Sequence, residues 1–321
     1  MTNRLIISLK LRDFCLRYVF VLIALVMPLV FCSNVFSEMP AMHEHHHADH
    51  GGDMQMKDMH MKKASEVVVD LETMPAELNA GAGAKILFMI KDGEGRPVQD
   101  LQITHDRLVH VVIASADFTV FAHIHPDDFG PITDEMKKKA KYPVRFTFPK
   151  GGHYIIAIDT AAKDNLISEH FTVDVGGGPK MGPFTRDLSR EKKFGDLSVT
   201  LATVPETITA GKEATLKYIV KKDGEPVTDL EPYLAAPMHV AIISSDLENF
   251  IHEHGELPGA TMGHMGGHEH MGHMMHMNVP KKFGPEIDVP VVFPVKGLYQ
   301  VFSQVGHKDK VVVLSFMVEV Q

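Results

Sequence analysis

Short runs of apolar residues recur along the chain from residue 66 onward, separated by Gly, Pro and Asp. In the first half of the chain these runs cover residues 66–71, 85–90, 109–114, 144–148 and 154–158. Apolar or alternating runs of this length, bounded by turn-forming residues, indicate β-strands rather than helices. One or two helical turns are predicted only near residues 131–141, where acidic residues and lysines suit a solvated surface. The pattern therefore predicts an all-β protein.

The strand-rich part of the chain contains the same pattern twice. Residues 110–125, HVVIASADFTVFAHIH, align without gaps to residues 239–254, HVAIISSDLENFIHEH. A Phe-Gly-Pro motif at residues 129–131 recurs at residues 283–285, but it follows the histidines at a greater distance. A repeat of this kind outranks any local feature in deciding the architecture. The second copy differs from the first mainly by an insertion, which we place at residues 255–282.

Each copy has about 110 residues and roughly seven short strands, which is typical of an antiparallel β-sandwich. We therefore predict two tandem immunoglobulin-like domains, although the Cys and Trp residues of antibody domains are absent. The first covers residues 66–176 and the second covers residues 193–321. Residues 177–192 are rich in Gly, Pro and charge and are predicted to be a linker.

The first 37 residues have the pattern of an export signal. Basic residues precede an uncharged apolar core at residues 18–31, and Val35 and Ser37 are small residues suited to a cleavage site. Cleavage there would remove both cysteines of the chain, Cys15 and Cys32. Two alternatives stay open: lipidation of Cys32, or retention of the apolar stretch as a membrane anchor. We expect a periplasmic or secreted protein that meets the membrane only through this segment, if it is uncleaved.

The composition points to metal chemistry. The chain has 21 His and 20 Met but only 2 Cys and no Trp. Imidazole and thioether groups with almost no thiol favour metal binding outside the reducing cytosol. The 32 Lys and Arg against 41 Asp and Glu give a net charge of -9, and no run of Lys and Arg resembles a patch that follows a phosphate backbone. Nucleic acid is therefore excluded as an expected partner.

Three histidines of the first repeat are spaced so that a hairpin would bring them together. If Ala116 and Asp117 form the tip of a two-residue turn, His110 faces His123. Because side chains alternate along a strand, His125 projects on the same face as His123. A lone strand histidine is usually a structural residue, but three that converge and recur in a second copy favour metal ligation.

The same spacing occurs in the second repeat. The predicted register places His239 opposite His252, with His254 beside it and Met238 as a candidate soft ligand. Each repeat therefore carries a candidate three-histidine metal site, separate or shared. Neutral imidazoles suit Cu(II) and Zn(II).

Two segments rich in Met and His are further candidates for metal binding. Residues 38–65 contain almost no branched aliphatic residues, so we predict a disordered segment in the absence of a ligand. Thioethers favour Cu(I), and alternating them with imidazoles allows a segment to hold either copper oxidation state. The candidate ligands of the N-terminal segment are His43, His45, His46, His47, His50, Met54, Met56, Met59, His60 and Met61. Those of the insertion are Met262, His264, Met265, His268, His270, Met271, His273, Met274, Met275, His276 and Met277.

These features resemble bacterial periplasmic copper-handling proteins. The Met- and His-rich residues 262–277 are similar to the Met-rich copper(I) loop of copper resistance proteins of the carrier type, which are small β-sandwiches. The F-x-H-x-H runs at residues 121–125 and 250–254 are similar to those of secreted YtkA-like domains encoded beside metal-efflux systems. The N-terminal histidine ligand of the carriers has no match at Glu38. The resemblance implies copper as the bound metal.

We therefore predict a non-catalytic periplasmic copper-binding protein that sequesters or delivers Cu(I) and Cu(II) for metal tolerance or homeostasis. Its expected partners are metal ions and a copper efflux or delivery protein. A zinc or nickel buffer is one alternative, because histidine alone does not discriminate among these ions. A copper-dependent redox enzyme resembling superoxide dismutase is another. No nucleophile elbow, phosphate-binding loop or C-x-x-C motif is present, which favours a protein that is not an enzyme.

Overall fold

Two β-sandwiches follow one another along the chain in the computed structural model, which describes residues 67–259 and 279–321. The predicted all-β fold with two tandem immunoglobulin-like sandwiches is confirmed. Both sandwiches belong to one compact unit. Within the described ranges, no helix is long and apolar enough to cross a membrane.

Nine described strands build the first repeat. They are β1 (Val68–Met74), β2 (Leu78–Asn79), β3 (Gly83–Lys91), β4 (Leu101–Gln102), β5 (His110–Ser115), β6 (Phe121–Ile124), β7 (Lys141–Thr147), β8 (Gly152–Ala162) and β9 (Asn165–Gly176). One sheet has the order β1-β3-β7, and the other has the order β2-β9-β8-β5-β6 with β4 paired to β8. A 3-10 helix, Pro126–Phe129, and the helix α1, Asp134–Lys139, lie between β6 and β7. Helix α1 confirms the short helix predicted near residues 131–141.

Ten described strands build the second repeat. They are β10 (Glu191–Phe194), β11 (Leu197–Val204), β12 (Glu213–Lys222), β13 (Glu225–Pro226), β14 (Leu230–Glu231), β15 (His239–Ser244), β16 (Phe250–His254), β17 (Glu286–Val292), β18 (Gly297–His307) and β19 (Lys310–Val320). One sheet has the order β10-β11-β12-β13 with β17 paired to β12. The other has the order β14-β18-β15-β16 with β19 paired to β18. The last two residues of the predicted linker belong to β10.

The equivalent strands β5 and β15 are buried along their whole length. Alternate residues of each strand point into the core of its own sandwich, as Val111 and Ile113 do in the first repeat and Val240 and Ile242 do in the second. A strand whose two faces are both covered reads as a continuous apolar run rather than as an alternating one. The other face of each strand must therefore pack against something outside its own sandwich.

The two repeats cover these outer faces by packing against each other. The shared apolar cluster combines buried residues of both repeats, namely Val112, Ala114, Ile155, Ala157, Ala241, Ile243, Leu247 and Phe302. The rings of Phe121 and Phe302 stack across the contact with their centroids 4.3 Å apart. The contact joins the sheet containing β5, β6 and β8 to the sheet containing β15, β16 and β18. The strand histidines lie on these joined faces.

Candidate metal centre

The hairpins that carry the strand histidines have a register two residues away from the predicted one. The partner of His123 is not His110, and His239 pairs with His254 instead of His252. The predicted cross-strand pairings are therefore wrong. A shift of two residues keeps every side chain on its original face, because side chains alternate with a period of two. The histidines consequently still share one face of each hairpin.

The longer turn of each hairpin explains the shifted register. The Ser115 N–H donates to the carbonyl of Val120 at 3.0 Å, which closes a four-residue loop instead of the predicted two-residue loop. The carboxylate of Asp117 stabilises this loop by accepting the Ser115 hydroxyl at 2.6 Å and the Thr119 N–H at 3.2 Å. Asp246 plays the same part in the second repeat. Aspartate favours such turns because its side chain bonds the backbone two residues on.

Three histidines of the first repeat each donate one ring N–H to a group outside the trio. His110 Nε2–H donates to the Thr104 carbonyl at 2.9 Å, His123 Nδ1–H to Gln304 Oε1 at 2.7 Å, and His125 Nδ1–H to Asp128 Oδ2 at 3.1 Å. A neutral imidazole has one donor and one acceptor nitrogen, so each ring retains a single lone pair. The remaining lone pairs are on His110 Nδ1, His123 Nε2 and His125 Nε2.

These three lone pairs face one another. His110 Nδ1 is 3.2 Å from His123 Nε2, and His125 Nε2 is 3.3 Å from the same atom. Lone pairs at such distances repel unless a cation lies among them. Two nitrogens that are each about 2.0–2.1 Å from a tetrahedral ion lie about 3.4 Å apart. The spacing of the trio therefore fits metal ligation closely.

The equivalent histidines of the second repeat keep the same nitrogens free. His239 Nε2–H donates to the Leu234 carbonyl at 3.1 Å, and His252 Nδ1–H donates to Asp159 Oδ2 at 2.6 Å. His239 Nδ1 and His254 Nε2 are buried and have no hydrogen-bond partner among the described residues. A buried polar atom without a partner is costly, which is a reason to expect a ligand at this position.

The interface between the repeats merges the two trios into one cluster. His110 and His123 of the first repeat and His239 and His252 of the second each offer a ligand atom within 4.8 Å of the others. The ring centroids of His123 and His252 are 5.3 Å apart, and those of His110 and His239 are 5.8 Å apart. The two candidate sites predicted from the sequence thus form one shared candidate site between the repeats.

Each repeat also orients a histidine of the other. Asp159 on β8 accepts from His252 of the second repeat, and Gln304 on β18 accepts from His123 of the first. The paired strands align so that Asp159 and Gln304 occupy equivalent places in the two repeats. Partners of this kind fix the tautomer and the ring orientation of metal-binding histidines. Sequence reasoning missed both residues because their role depends on the packing between repeats.

Burial keeps most of the cluster neutral. It lowers the pKa of His110, His123, His239 and His254 well below the usual value, and repulsion among the neighbouring imidazoles adds to this effect. Burial also lowers the pKa of His125, although Asp128 acts in the opposite direction. Metal binding needs deprotonated imidazoles. The cluster is therefore ready to bind a cation at neutral pH.

His105 is a member of the cluster that sequence reasoning missed. It lies at a tight turn of the first repeat with a φ of 47°, and its ring stacks on that of His254 with a centroid distance of 3.5 Å. His105, His239 and His254 also offer ligand atoms within 4.8 Å of one another. Its equivalent in the second repeat is Leu234, so the repeat pattern gave no signal. Only its place five residues before His110 could have drawn attention to it.

The other predicted ligands have different positions. Met238 is fully buried in the hydrophobic core of the second sandwich, on the side of β15 opposite to His239, because neighbouring side chains of a strand alternate. The prediction that Met238 adds a ligand to the cluster is wrong. All candidate ligands in the N-terminal segment and in residues 262–277, like the predicted signal peptide, lie outside the described residues.

A domain family model matches both repeats. Its description is "Domain of unknown function (DUF8832)", and it covers residues 62–177 and 192–321. No curated protein sequence matches this chain.

Solved structures give distant matches. The chain is similar to FdeC, an Escherichia coli adhesin, with 10% identity, a TM-score of 0.22 and coverage of 79% of this chain and 64% of FdeC. The chain thus spans just under two thirds of the length of that protein. Domains 4 and 5 of the S-layer protein SbsC match at 11% identity and TM-score 0.20, covering 80% of this chain and 98% of those two domains. The D00-D0 domain of intimin matches at 10% identity and TM-score 0.21, covering 78% and 98%. Likeness at this level says nothing about function.

Proposed function

We propose that this chain, which belongs to the DUF8832 family, is an exported, non-catalytic copper-binding protein that sequesters or delivers Cu(I) and Cu(II) for metal tolerance or homeostasis. Copper is the cargo in this proposal. The histidine cluster between the repeats would hold an ion, and the two Met- and His-rich segments would capture ions. A copper efflux or delivery protein would be the partner.

The observation that carries this proposal is the convergence of lone pairs on His123 Nε2. His110 Nδ1 and His125 Nε2 approach it to 3.2 and 3.3 Å. Each of these two rings donates its N–H from its other nitrogen to another group, so neither ring can donate a hydrogen bond to His123 Nε2. A structural histidine in a core is normally hydrogen-bonded through both nitrogens. Metal ligation accounts for a cluster in which several nitrogens lack such partners.

The choice of copper rests on the composition of the chain. The described cluster contains only imidazoles with carboxylate and amide neighbours, which suit zinc, nickel and copper alike. The thioethers of residues 262–277 and of the N-terminal segment select soft ions, and they support Cu(I) over Zn(II). Export would follow from the predicted signal peptide.

Metal content and competition experiments on the full chain test this proposal. Protein recovered from the periplasm should carry copper, and it should bind Cu(II) and Cu(I) in the presence of excess Zn(II). His123→Ala should weaken Cu(II) binding by about 100-fold, near the upper end of what altering a metal's surroundings typically costs. His153→Ala is the matched control, because His153 is exposed and lies outside the cluster.

A third variant separates the cluster from the insertion. Deletion of residues 261–278 should remove much of the Cu(I) capacity and leave Cu(II) binding by the cluster intact. Zinc in the recovered protein, without Cu(I) binding, would instead show a zinc buffer. Turnover of superoxide by the copper-loaded chain, lost in His123→Ala, would favour the redox enzyme.

A further inference from the structure

His105 breaks the symmetry of the cluster. Every other member of the cluster has an equivalent histidine in the other repeat, whereas the position equivalent to His105 is Leu234. The backbone of both residues is in the left-handed region, with φ values of 47° and 48°. The two turns therefore share one geometry, and only the first presents an imidazole.

The turn places His105 against the second repeat. Its ring lies 3.5 Å from that of His254 and 5.3 Å from that of His239, measured between centroids. His105, His239 and His254 each have a ligand atom within 4.8 Å of the others, so three imidazoles can supply a ligand set here. Three protein ligands leave a fourth position open, as in metal sites that exchange a ligand.

This three-histidine set shares His239 with the four-histidine set. His239 Nε2–H donates to the Leu234 carbonyl, so Nδ1 carries the only lone pair of that ring, and Nδ1 is the atom left without a partner. One lone pair binds one ion. Both sets must therefore use the same atom, and they cannot be filled together.

We propose that His105, His239 and His254 form a second metal position, which exchanges one Cu(II) ion with the four-histidine position of His110, His123, His239 and His252. This proposal rests on the proposed function. The ion remains bound to His239 Nδ1 while His105 and His254 are replaced by the deeper histidines. No bond other than metal–nitrogen bonds forms or breaks in this exchange.

The difference in burial between the two histidine sets indicates that the ion moves inward, from the three-histidine position to the four-histidine position. His105 is partly exposed, whereas His110, His123 and His239 are almost completely buried. An ion from solvent therefore meets the three-histidine position first. His105 must tilt out of its stack with His254 to bind, because two rings at an interplanar angle of 18° and a distance of 3.5 Å cannot both point a nitrogen at one ion.

Loading kinetics of the full chain test this role of His105. Apo protein is mixed rapidly with Cu(II), and loading is followed by electron paramagnetic resonance, which counts the nitrogen ligands. His105→Ala should slow loading by about tenfold, the low end of the effects seen when a group around a metal is lost, with the final spectrum and the equilibrium affinity little changed. His153→Ala should load like the unmodified chain.

Equilibrium variants test the two positions separately. His123→Ala should retain weaker binding with a three-nitrogen spectrum, and this binding should disappear in the double variant of His105 and His123. His239→Ala should lose one ion per chain, not two. Equal loading rates in His105→Ala and His153→Ala, or a loss of two ions in His239→Ala, would overturn the exchange. If His123→Ala and His239→Ala both hold as much metal as the unmodified chain, the cluster binds none and the proposed function itself fails.

Discussion

The two repeats present the same histidines on the same strands, yet they surround them differently. In the first repeat Asp159 is available to orient a histidine of the other repeat, whereas the equivalent residue of the second repeat is the neutral Gln304. The first repeat adds His105 where the second has Leu234. Duplication thus supplies the scaffold of the cluster, and a few differences between the copies give its two sides distinct properties.

This comparison shows that neither repeat completes the cluster by itself. The four-histidine set takes two ligands from each copy, and the groups that orient His123 and His252 cross the interface. Packing of one copy on the other is therefore a condition for the site.

The largest effect is expected from forcing the repeats apart. Ala157 is fully buried in the apolar contact between them. Ala157→Arg should weaken Cu(II) binding by about 100-fold or more, because ligands on separated domains lose their high effective concentration. Isothermal titration measures this loss. Ala202→Arg, on the exposed side of a strand, is the control, and equal affinity in both variants would show that each repeat binds metal alone.

A smaller effect is expected from the two orienting residues. Asp159→Asn should lower Cu(II) affinity by about tenfold, because a charged acceptor makes His252 a more basic ligand. Gln304→Ala should cost less, because it removes a neutral acceptor from His123. Competition with a chelator of known affinity measures both. Asp174→Asn, at an exposed position beside His153, should have no effect, and a larger loss in Gln304→Ala than in Asp159→Asn would contradict the asymmetry.

The smallest effect concerns the stability of the metal-free protein in acid. Burial, with repulsion from His252, lowers the pKa of His105 to about 4, below the usual value of 6.5. Protonation of His105 in the unfolded chain therefore begins near pH 6.5, so its contribution to stability is lost as the pH falls from 6.5 to about 4.

His105→Leu, which copies the second repeat, removes this contribution. The variant should lose less stability than the unmodified chain between pH 7.5 and pH 5.8, by about 1 kcal/mol. Urea unfolding of the metal-free proteins at both pH values measures the difference. Parallel losses in the two proteins would show that His105 does not remain neutral in the folded state.

The sequence by itself determined the duplicated all-β architecture and the face of each hairpin that carries histidines. The aligned runs at residues 110–125 and 239–254 revealed the repeat, and strand alternation placed His123 and His125 together even though the assumed turn was too short. Strand side chains alternate with a period of two, so an error of two residues in the predicted register left the histidines on the same face. The choice of turn depended on Asp117, whose hydrogen bonds can be weighed only in three dimensions.

Only the tertiary structure decided that the two trios form one cluster. The continuous apolar runs of β5 and β15 indicated that both faces of each strand are covered, but a run of hydrophobic residues does not say what covers it. The same packing brought His105, Asp159 and Gln304 to the histidines from distant parts of the chain. Met238 lies in the core of the second sandwich, because its side chain points to the opposite face of the strand from that of the adjacent His239. Contacts between domains depend on the whole surface of each, and local sequence patterns do not encode them.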